Sequence, residues 1–364
     1  MTIQSLSFLE VFKDASGGNT KTPQKEFLEE GEIPVVDQGQ GLIAGFVNER
    51  SRVCNAKPPV IVFGDHTRVI KYVDFEFAMG ADGTKVLVPK VESDTKYLYY
   101  ALKAVRIPAA GYSRHYKFLK ETQIPLPPLA EQKRIAGILD AADALRTKRR
   151  ESLALLHTLL QSTFLDMFGD PVTNPMRWEL RRLDELGEVQ TGSTPPSKLE
   201  GMFNGEIPFI TPGDLREAWI EPSRTVTKAG AEKSRTVRRG ATLVCCIGAT
   251  IGKMGKASDF SAFNQQINAV SWGDTVADDF GLELMRFFKA KIARDGASTT
   301  LPILKKSLFQ KISVPNPPLP LQRRFAAIVE SVEKQKSRCR AHLDELDTLF
   351  ASLQQRAFNG ELLA

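Results

Sequence analysis

The stretch IPLPPLAEQKRIAGIL, beginning at Ile124, is nearly repeated as ISVPNPPLPLQRRFAAIV, beginning at Ile312. At a constant offset of 190 residues, Pro125 falls on Pro315, Pro127 on Pro317, Pro128 on Pro318, Leu129 on Leu319, Gln132 on Gln322 and Arg134 on Arg324. The register continues without a gap through Ala136 and Ala326 and through Leu153 and Leu343 to Phe168 and Phe358. A match of this length is an internal duplication, and it limits the chain to architectures assembled from two like halves.

Each copy reads as a helix once its prolines are passed. Apolar residues fall at Ile135, Ile138, Leu139, Ala142, Leu145, Leu153, Leu156, Leu160, Phe164 and Met167 in the first copy. In the second they fall at Phe325, Ile328, Val329, Val332, Leu343, Leu346, Phe350 and Leu353. Spacings of three, four and seven put them on one helical face. Gly169-Asp170-Pro171 and Asn359-Gly360 supply the stops. Residues 129–167 would form a rod of about 55–60 Å at ~1.5 Å per residue. A lone helix of that length cannot bury its stripe, whereas two in one chain can bury theirs against each other as an antiparallel coiled coil. Gln132, Ile135, Ile138, Leu145 and Leu156, with Gln322, Phe325, Ile328 and Leu346, are the candidates for helix pairing or partner docking. The competing arrangement packs each stripe on its neighbouring block.

The segments before the helices are also related. At an offset of 174, Leu9 meets Leu183, Gly18 meets Gly192, and Gly31-Glu32-Ile33-Pro34 recurs as Gly205-Glu206-Ile207-Pro208. The offset then grows to 190, so the second block carries 16 extra residues. Short β runs punctuated by Gly and Pro dominate both: PPVIVFG against ATLVCCIG, and KVLVP against INAVSW. Each block then shows a short helical pattern, KYLYYALKAV and LELMRFFKAKIA. The expected class is α+β, with two pseudo-twofold-related blocks separated by the paired long helices. The expected boundaries are 1–124, 125–170, 171–313 and 314–364.

The composition, 42% apolar and 25% charged, is that of a globular chain, and no apolar run is long enough for a membrane helix. MTIQSLSFLEVFKD lacks the pattern of a secretory signal. Cys54, Cys245, Cys246 and Cys339 form no Cys-x-x-Cys pair and read as reduced thiols of a cytoplasmic protein. The net charge is +6, most of it within 171–313, which suits a polyanion partner.

Motifs for chemistry fail on inspection. Asn316-Pro-Pro-Leu319 resembles an amino-methyltransferase signature, but it ends in Leu, its twin has Leu126 in place of Asn316, and no methyl-donor loop precedes it. In Gly248–Lys253, GATIGK, the glycines stand too close for a phosphate loop, and Met254 follows the lysine. His66, His115, His157 and His342 form no zinc-like cluster, and Asp65-His66 has no nucleophile beside it.

Polar loops suited to base edges and phosphates remain. In the first block these are Gln38 and Gln40, then His66 and Arg68, then Tyr112, Ser113, Arg114, His115 and Lys117. In the second they are Thr211 and Asp214, then Thr250 and Lys253, then Asn264, Gln265, Gln266 and Asn268, then Ser298, Thr299, Lys305 and Lys306. Arg pairs with guanine and Asn or Gln with adenine through two hydrogen bonds, while Lys, Ser and Thr more often hold phosphates.

The two Pro-x-Pro-Pro-Leu-x-x-Gln stretches, Pro125–Gln132 and Pro315–Gln322, each leading into a long helix behind a divergent block, resemble the specificity subunits of type I restriction–modification systems. GDHTR, GYSRHYK and GATIGK followed by FNQQINA are similar to stretches in that family's recognition domains. The resemblance implies target-recognition domains at 1–124 and 171–313, each reading half of a split, asymmetric sequence in double-stranded DNA. It implies that the helices set the spacer and dock two methyltransferase subunits, with endonuclease subunits joining. No catalytic group, metal or cofactor would belong to this chain; S-adenosylmethionine, ATP and Mg would serve its partners. Four residues inserted after Glu131 should then lengthen the spacer and leave the half-sites intact. Three alternatives stay open: a methyltransferase with an unusual motif, the specificity subunit of a fused restriction–methylation enzyme, and a duplicated adaptor that binds only proteins.

Overall fold

The computed structural model describes residues 4–108, 113–196, 198–216, 218–296 and 302–362. The chain divides into two compact units. The first is Met1–Arg150 with Ala341–Ala364, and the second is Glu151–Arg340. The division falls inside both long helices, Leu129–Phe168 and Leu319–Phe358, each of 40 residues. Each unit therefore holds the beginning of one helix and the end of the other. No described helix is long and apolar enough to cross a membrane.

In the first unit two four-stranded sheets face each other. One has the order Phe12–Asp14, Thr84–Pro89, Val60–Gly64, Ile70–Val73; the other has Lys21–Thr22, Ala78–Gly80, Ile33–Val36, Gly45–Val47. The continuous apolar run of Val60–Gly64 is explained by burial on both faces. Val60 and Val62 meet Val36, Phe77, Met79 and Val86 between the sheets. Ile61 and Phe63 turn the other way, into a cluster with Phe8, Phe12, Tyr97, Tyr100, Ile135, Leu139 and Phe350. Gln4–Ser7 pairs antiparallel with Gln123–Leu126, so the start of the block is tied to the residues that lead into the first long helix.

The second unit repeats this plan. Its sheets run Gly187–Thr191, Ile267–Trp272, Thr242–Cys245, Met254–Ala257, Trp219–Ile220, and Arg224–Val226, Phe203–Ile210, Ser261–Phe263, Thr236–Val237. Leu243 and Cys245 face Ile210 and Phe263 between the sheets. Val244 and Cys246 face Phe164, Phe168, Phe280, Phe325 and Val329. Leu180–Arg182 pairs antiparallel with Ser313–Pro315, just before the second long helix. Part of the extra length is the strand Trp219–Ile220, which adds a fifth member to one sheet, and the helix Lys289–Gly296.

Within each unit the two helix portions run antiparallel and touch. In the first unit Arg134 reaches the carbonyl of Leu362, while twelve residues on Arg146 binds Asp347 at 2.5 Å and lies 4.3 Å over the Phe350 ring. In the second, Phe164 and Phe168 both set their rings edge-on to Phe325, at 5.4 and 5.5 Å.

The stripes differ from the expectation in one respect. Ile135 and Phe325, both 0% exposed, serve the core of a block and the opposite helix at once, Ile135 in a cluster with Phe350 and Ala357 and Phe325 in one with Phe164 and Phe168, rather than a seam reserved for the helix pair. Leu156 packs against the second core, and Ile138 and Leu346 are half-buried. Leu145, at 53% exposed, and Ile328, at 36%, lie on the surface. A stripe wide enough to meet both a sheet and another helix exceeds one face, so its margins are left in solvent.

Candidate nucleic-acid interface

Most candidate loop residues sit on three corresponding connections of the two units, while Asn264, Gln265 and Gln266 sit on a fourth, between Ser261–Phe263 and Ile267–Trp272, that carries candidates in the second unit alone. The first connection follows Ile33–Val36 in one unit and Phe203–Ile210 in the other. The second follows Val60–Gly64 and Thr242–Cys245. The third precedes the short helices Tyr116–Lys120 and Lys306–Phe309.

In the first unit Asp65 gathers these connections. Its backbone oxygen accepts from the N–H of His115 at 2.8 Å, and its carboxylate accepts from the N–H of Tyr116 at 2.8 Å. His115 Nδ1 lies 3.0 Å from the same backbone oxygen, which fixes Nδ1 as the protonated nitrogen. Gln38 joins the cluster: its side-chain oxygen accepts from the His66 N–H at 3.2 Å, and its carbonyl accepts from the Thr67 hydroxyl at 2.5 Å. A Cβ on Gly64 would stand 2.2 Å from Thr67 Oγ1 and 2.9 Å from Gln38 Cβ, so this junction requires glycine. Lys71, almost fully buried, donates to the Asp37 carbonyl at 2.7 Å and faces its carboxylate at 3.4 Å. Burial pushes the Lys71 pKa down, and Asp37 only partly offsets this. Gln40, Arg68, Arg114 and Lys117 remain exposed, and Ser113 is half-buried. Arg68 adopts the left-handed region at φ 62° and reaches the Ile107 carbonyl at 3.3 Å. Tyr112 lies outside the described residues.

In the second unit Asp214 closes the first connection. It accepts from the Thr211 N–H at 2.8 Å, the Thr211 hydroxyl at 2.6 Å and the Ser223 N–H and hydroxyl at 3.3 and 3.2 Å. Burial works to raise its carboxyl pKa, but these donors together hold it below the ordinary value. The second connection is pinned by Cys245 Sγ beside Thr250 Oγ1 at 3.3 Å, and by Gly248, whose N–H donates to the Pro302 carbonyl at 2.8 Å. Gly248 has φ +83° with open space around it, so the backbone alone calls for glycine. That bond brings Lys305 and Lys306 next to the connection bearing Lys253, and all three lysines are exposed. Asn264 donates to Thr194 Oγ1 at 3.2 Å, Gln265 pairs with the same hydroxyl, and Asn264 Oδ1 accepts from the Gln266 N–H at 2.9 Å. Gln265 is exposed and Gln266 half-buried. Ser298 and Thr299 lie outside the described residues.

Four candidates take a different place from the one their residue type suggests. His115 is 2% exposed and Asn268 3% exposed, so neither presents a face to a base edge. Asn268 instead accepts from the Thr191 hydroxyl at 2.7 Å and hydrogen-bonds Cys246, whose thiol burial pushes up to about 12. Gln132 and Gln322, 2% and 0% exposed, are sealed inside their own units and so offer no docking face. Gln132 donates to the Pro127 carbonyl at 2.8 Å and accepts from the Asp94 N–H at 3.0 Å. Gln322 donates to the Pro317 carbonyl at 2.8 Å and accepts from the Ala277 N–H at 2.9 Å. Asp94 and Ala277 are the N-caps of the equivalent helices Thr95–Ala104 and Asp278–Phe287. The repeat showed that these glutamines mattered, but only the fold shows what they hold. Asp37 and Lys71, which brace the loops, carried no signal in the sequence, whereas Thr194 was marked by falling on Thr20 at the 174-residue offset.

The family model for the type I restriction modification DNA specificity domain matches residues 7–155 and 175–345. The chain is 29% identical over 213 residues to the specificity subunit of the type I restriction enzyme EcoR124I/EcoR124II of Escherichia coli, covering 55% of this chain and 52% of that one. To the HindI specificity subunit of Haemophilus influenzae it is 28% identical over 195 residues, covering 52% and 42%. It thus spans about half the length of these relatives or less. A putative type I specificity subunit of H. influenzae, S.HindORF215P, is 24% identical over 339 residues, 86% of this chain and 84% of that one. Among solved structures, the S subunit of a type I restriction-modification system from M. genitalium shares the fold at a TM-score of 0.64 and 17% identity, over 98% of this chain and 96% of that one. A chain from a study of complex assembly and conformational transition in the type I R-M system follows at 0.56 and 18%, over the whole of both chains. With the family model spanning both units, the chain belongs to the type I restriction modification DNA specificity family.

Proposed function

We propose that the chain is the DNA specificity subunit of a type I restriction–modification complex. Each unit's loops read one half of a split target in double-stranded DNA. The observation that carries this reading is the use of the same three connections, on the same scaffold, for different side chains. The first unit offers Gln38, Gln40, Arg68, Arg114 and Lys117; the second offers Thr211, Asp214, Lys253, Lys305 and Lys306, and adds Gln265 on a further connection. One framework with two chemistries predicts two unlike half-sites, since base identity is read by side-chain donors and acceptors. The exposed margins of the helices, Leu145, Leu159, Ile328 and Leu349, suit docking of two methyltransferase subunits, with endonuclease subunits joining that assembly. S-adenosylmethionine, ATP and Mg act in those partners.

The test is a base-resolution map of methylated adenines in the host genome, with and without this gene. Loss of methylation at one split, asymmetric motif is the expected result. An unchanged map, with the methyltransferase subunits expressed, favours the protein-only adaptor. The spacer test needs a different insertion point from Glu131, because four residues there would tear Gln132 from Asp94. An insertion near Arg149, away from both glutamines, is expected to change the spacer and keep both half-sites.

A further inference from the structure

The glutamine of each repeat makes a bond pattern that its neighbours do not need for folding as a helix. Gln132 and Gln322 lie in the first turn of the long helices, where a polar side chain ordinarily faces water. Both are instead almost fully buried. Each side-chain amide bridges two backbones. Its NH2 holds the carbonyl of the proline five residues earlier, and its oxygen holds the N–H that starts the block's own helix. In the second unit the NH2 also reaches the Thr275 carbonyl at 3.1 Å and Asn316 Oδ1 at 3.2 Å. Aromatic contacts reinforce the joint at matching positions: Tyr97 meets Phe358 at 5.5 Å in the first unit, and Phe280 meets Phe168 at 4.9 Å in the second. The first unit adds a bond of its own, from the Tyr97 hydroxyl to the Pro125 carbonyl at 2.8 Å.

The same joint recurs in two blocks that have otherwise diverged; an apolar residue there would strand an N–H and a proline carbonyl, so the amide satisfies both groups and, in doing so, also fixes their geometry. A hydrophobic contact slides, whereas two hydrogen bonds from one planar amide fix direction as well as distance. We propose that Gln132 and Gln322 are positioning residues that lock the angle at which each reading block leaves its long helix, and that they thereby set how strictly the protein discriminates the spacer between half-sites. This rests on the DNA-reading function proposed above. Neither residue touches DNA in this role; each acts through the short helix it anchors.

The experiment compares full-length wild type with Gln132→Ala and Ala277→Pro, each expressed with the methyltransferase subunits, by genome-wide methylation mapping. Ala277→Pro attacks the same joint from the opposite side. It deletes the N–H that Gln322 holds, at a backbone φ of −74° that proline adopts without strain. Both variants are expected to keep the two half-site sequences while methylation at spacers one base pair too long or too short rises about five- to tenfold, the weight of one hydrogen bond. Amide exchange on the same proteins should show the Asp94 N–H exchanging about tenfold faster in Gln132→Ala, with the Tyr97 N–H, held by the Asp94 side chain, unchanged.

A uniform fall in methylation with spacer strictness intact would overturn the proposal, leaving the glutamines a structural role only. So would altered bases in either half-site. A wild-type map without any split motif would remove the DNA-reading function itself, and the positioning role with it. If Gln132→Ala does not accumulate, Ala277→Pro alone decides, because it leaves both glutamines in place.

Discussion

The two helix lead-ins and the two sets of loops in this molecule have opposite histories. At the lead-ins, Pro-x-Pro-Pro-Leu-x-x-Gln is kept residue for residue, and the two glutamines make equivalent bonds to equivalent helices. At the loops the scaffold is kept and the side chains are not: Gln40 stands where the 174-residue offset places Asp214. A joint has one geometry to satisfy, whereas a reading surface must differ if two unlike sequences are to be read. The comparison teaches that duplication was held where the units meet their helices and released where they would meet a ligand.

The molecule carries its own reporter for this comparison. All three tryptophans, Trp178, Trp219 and Trp272, belong to the second unit, and all six tyrosines belong to the first. The largest effects should come from the helix residues sunk into each core. Phe325→Ala is expected to cost about 3–5 kcal/mol and Ile135→Ala about 2–5 kcal/mol. In denaturant, Phe325→Ala should move the tryptophan transition to lower concentration. Ile135→Ala should act first on the tyrosine-bearing unit. Equal displacement of the tryptophan signal by both would show that the units unfold as one and blur the comparison.

Next in size are the loops. Arg114→Ala, if Arg114 meets a base, should relax one half-site by about 1–3 kcal/mol and leave the other unchanged. Lys253→Ala, if it meets a phosphate, should weaken binding to all sequences alike and flatten the salt dependence by about one ion. Binding to the mapped target and to single-base variants at several salt concentrations separates the two. A smaller effect, about 1–2 kcal/mol, is expected for Arg146→Ala, which loses the Asp347 ion pair and the Phe350 ring in the first unit only. Thermal unfolding followed by tyrosine and by tryptophan would check that the loss stays on one side.

The smallest effect is one of pH. Asp214 titrates below the ordinary carboxylate range in the folded state, so its bonds to Thr211 and Ser223 contribute stability that is complete above about pH 4. That contribution disappears as pH falls through the lower folded value. Asp214→Asn should therefore flatten the acid limb of second-unit stability below pH ~4, read at Trp219, which lines the same cavity of about 900 Å³. An unchanged acid limb would mean that the bonds from Thr211 and Ser223 to Asp214 do not persist in solution.

Much of this protein was legible in its residues. The 190-residue register announced two long helices, and they run from Leu129 to Phe168 and from Leu319 to Phe358, each stopped by a glycine in the left-handed region. The runs PPVIVFG and ATLVCCIG announced strands, because apolar side chains on successive residues suit a strand covered on both faces. Periodicity and duplication are local or self-referential signals, so a single sequence contains them whole. It does not contain the depth of a side chain. His115 and Asn268 have the chemistry of base readers, yet their neighbours Asp65 and Thr191 draw them inside. Leu145 and Ile328 fit the helical stripe, yet the stripe is wider than what covers it. The glutamines were marked by repetition alone; that they join Pro127 to Asp94 and Pro317 to Ala277 was decided by the tertiary structure, because burial and hydrogen-bond partners are set by residues tens of positions away.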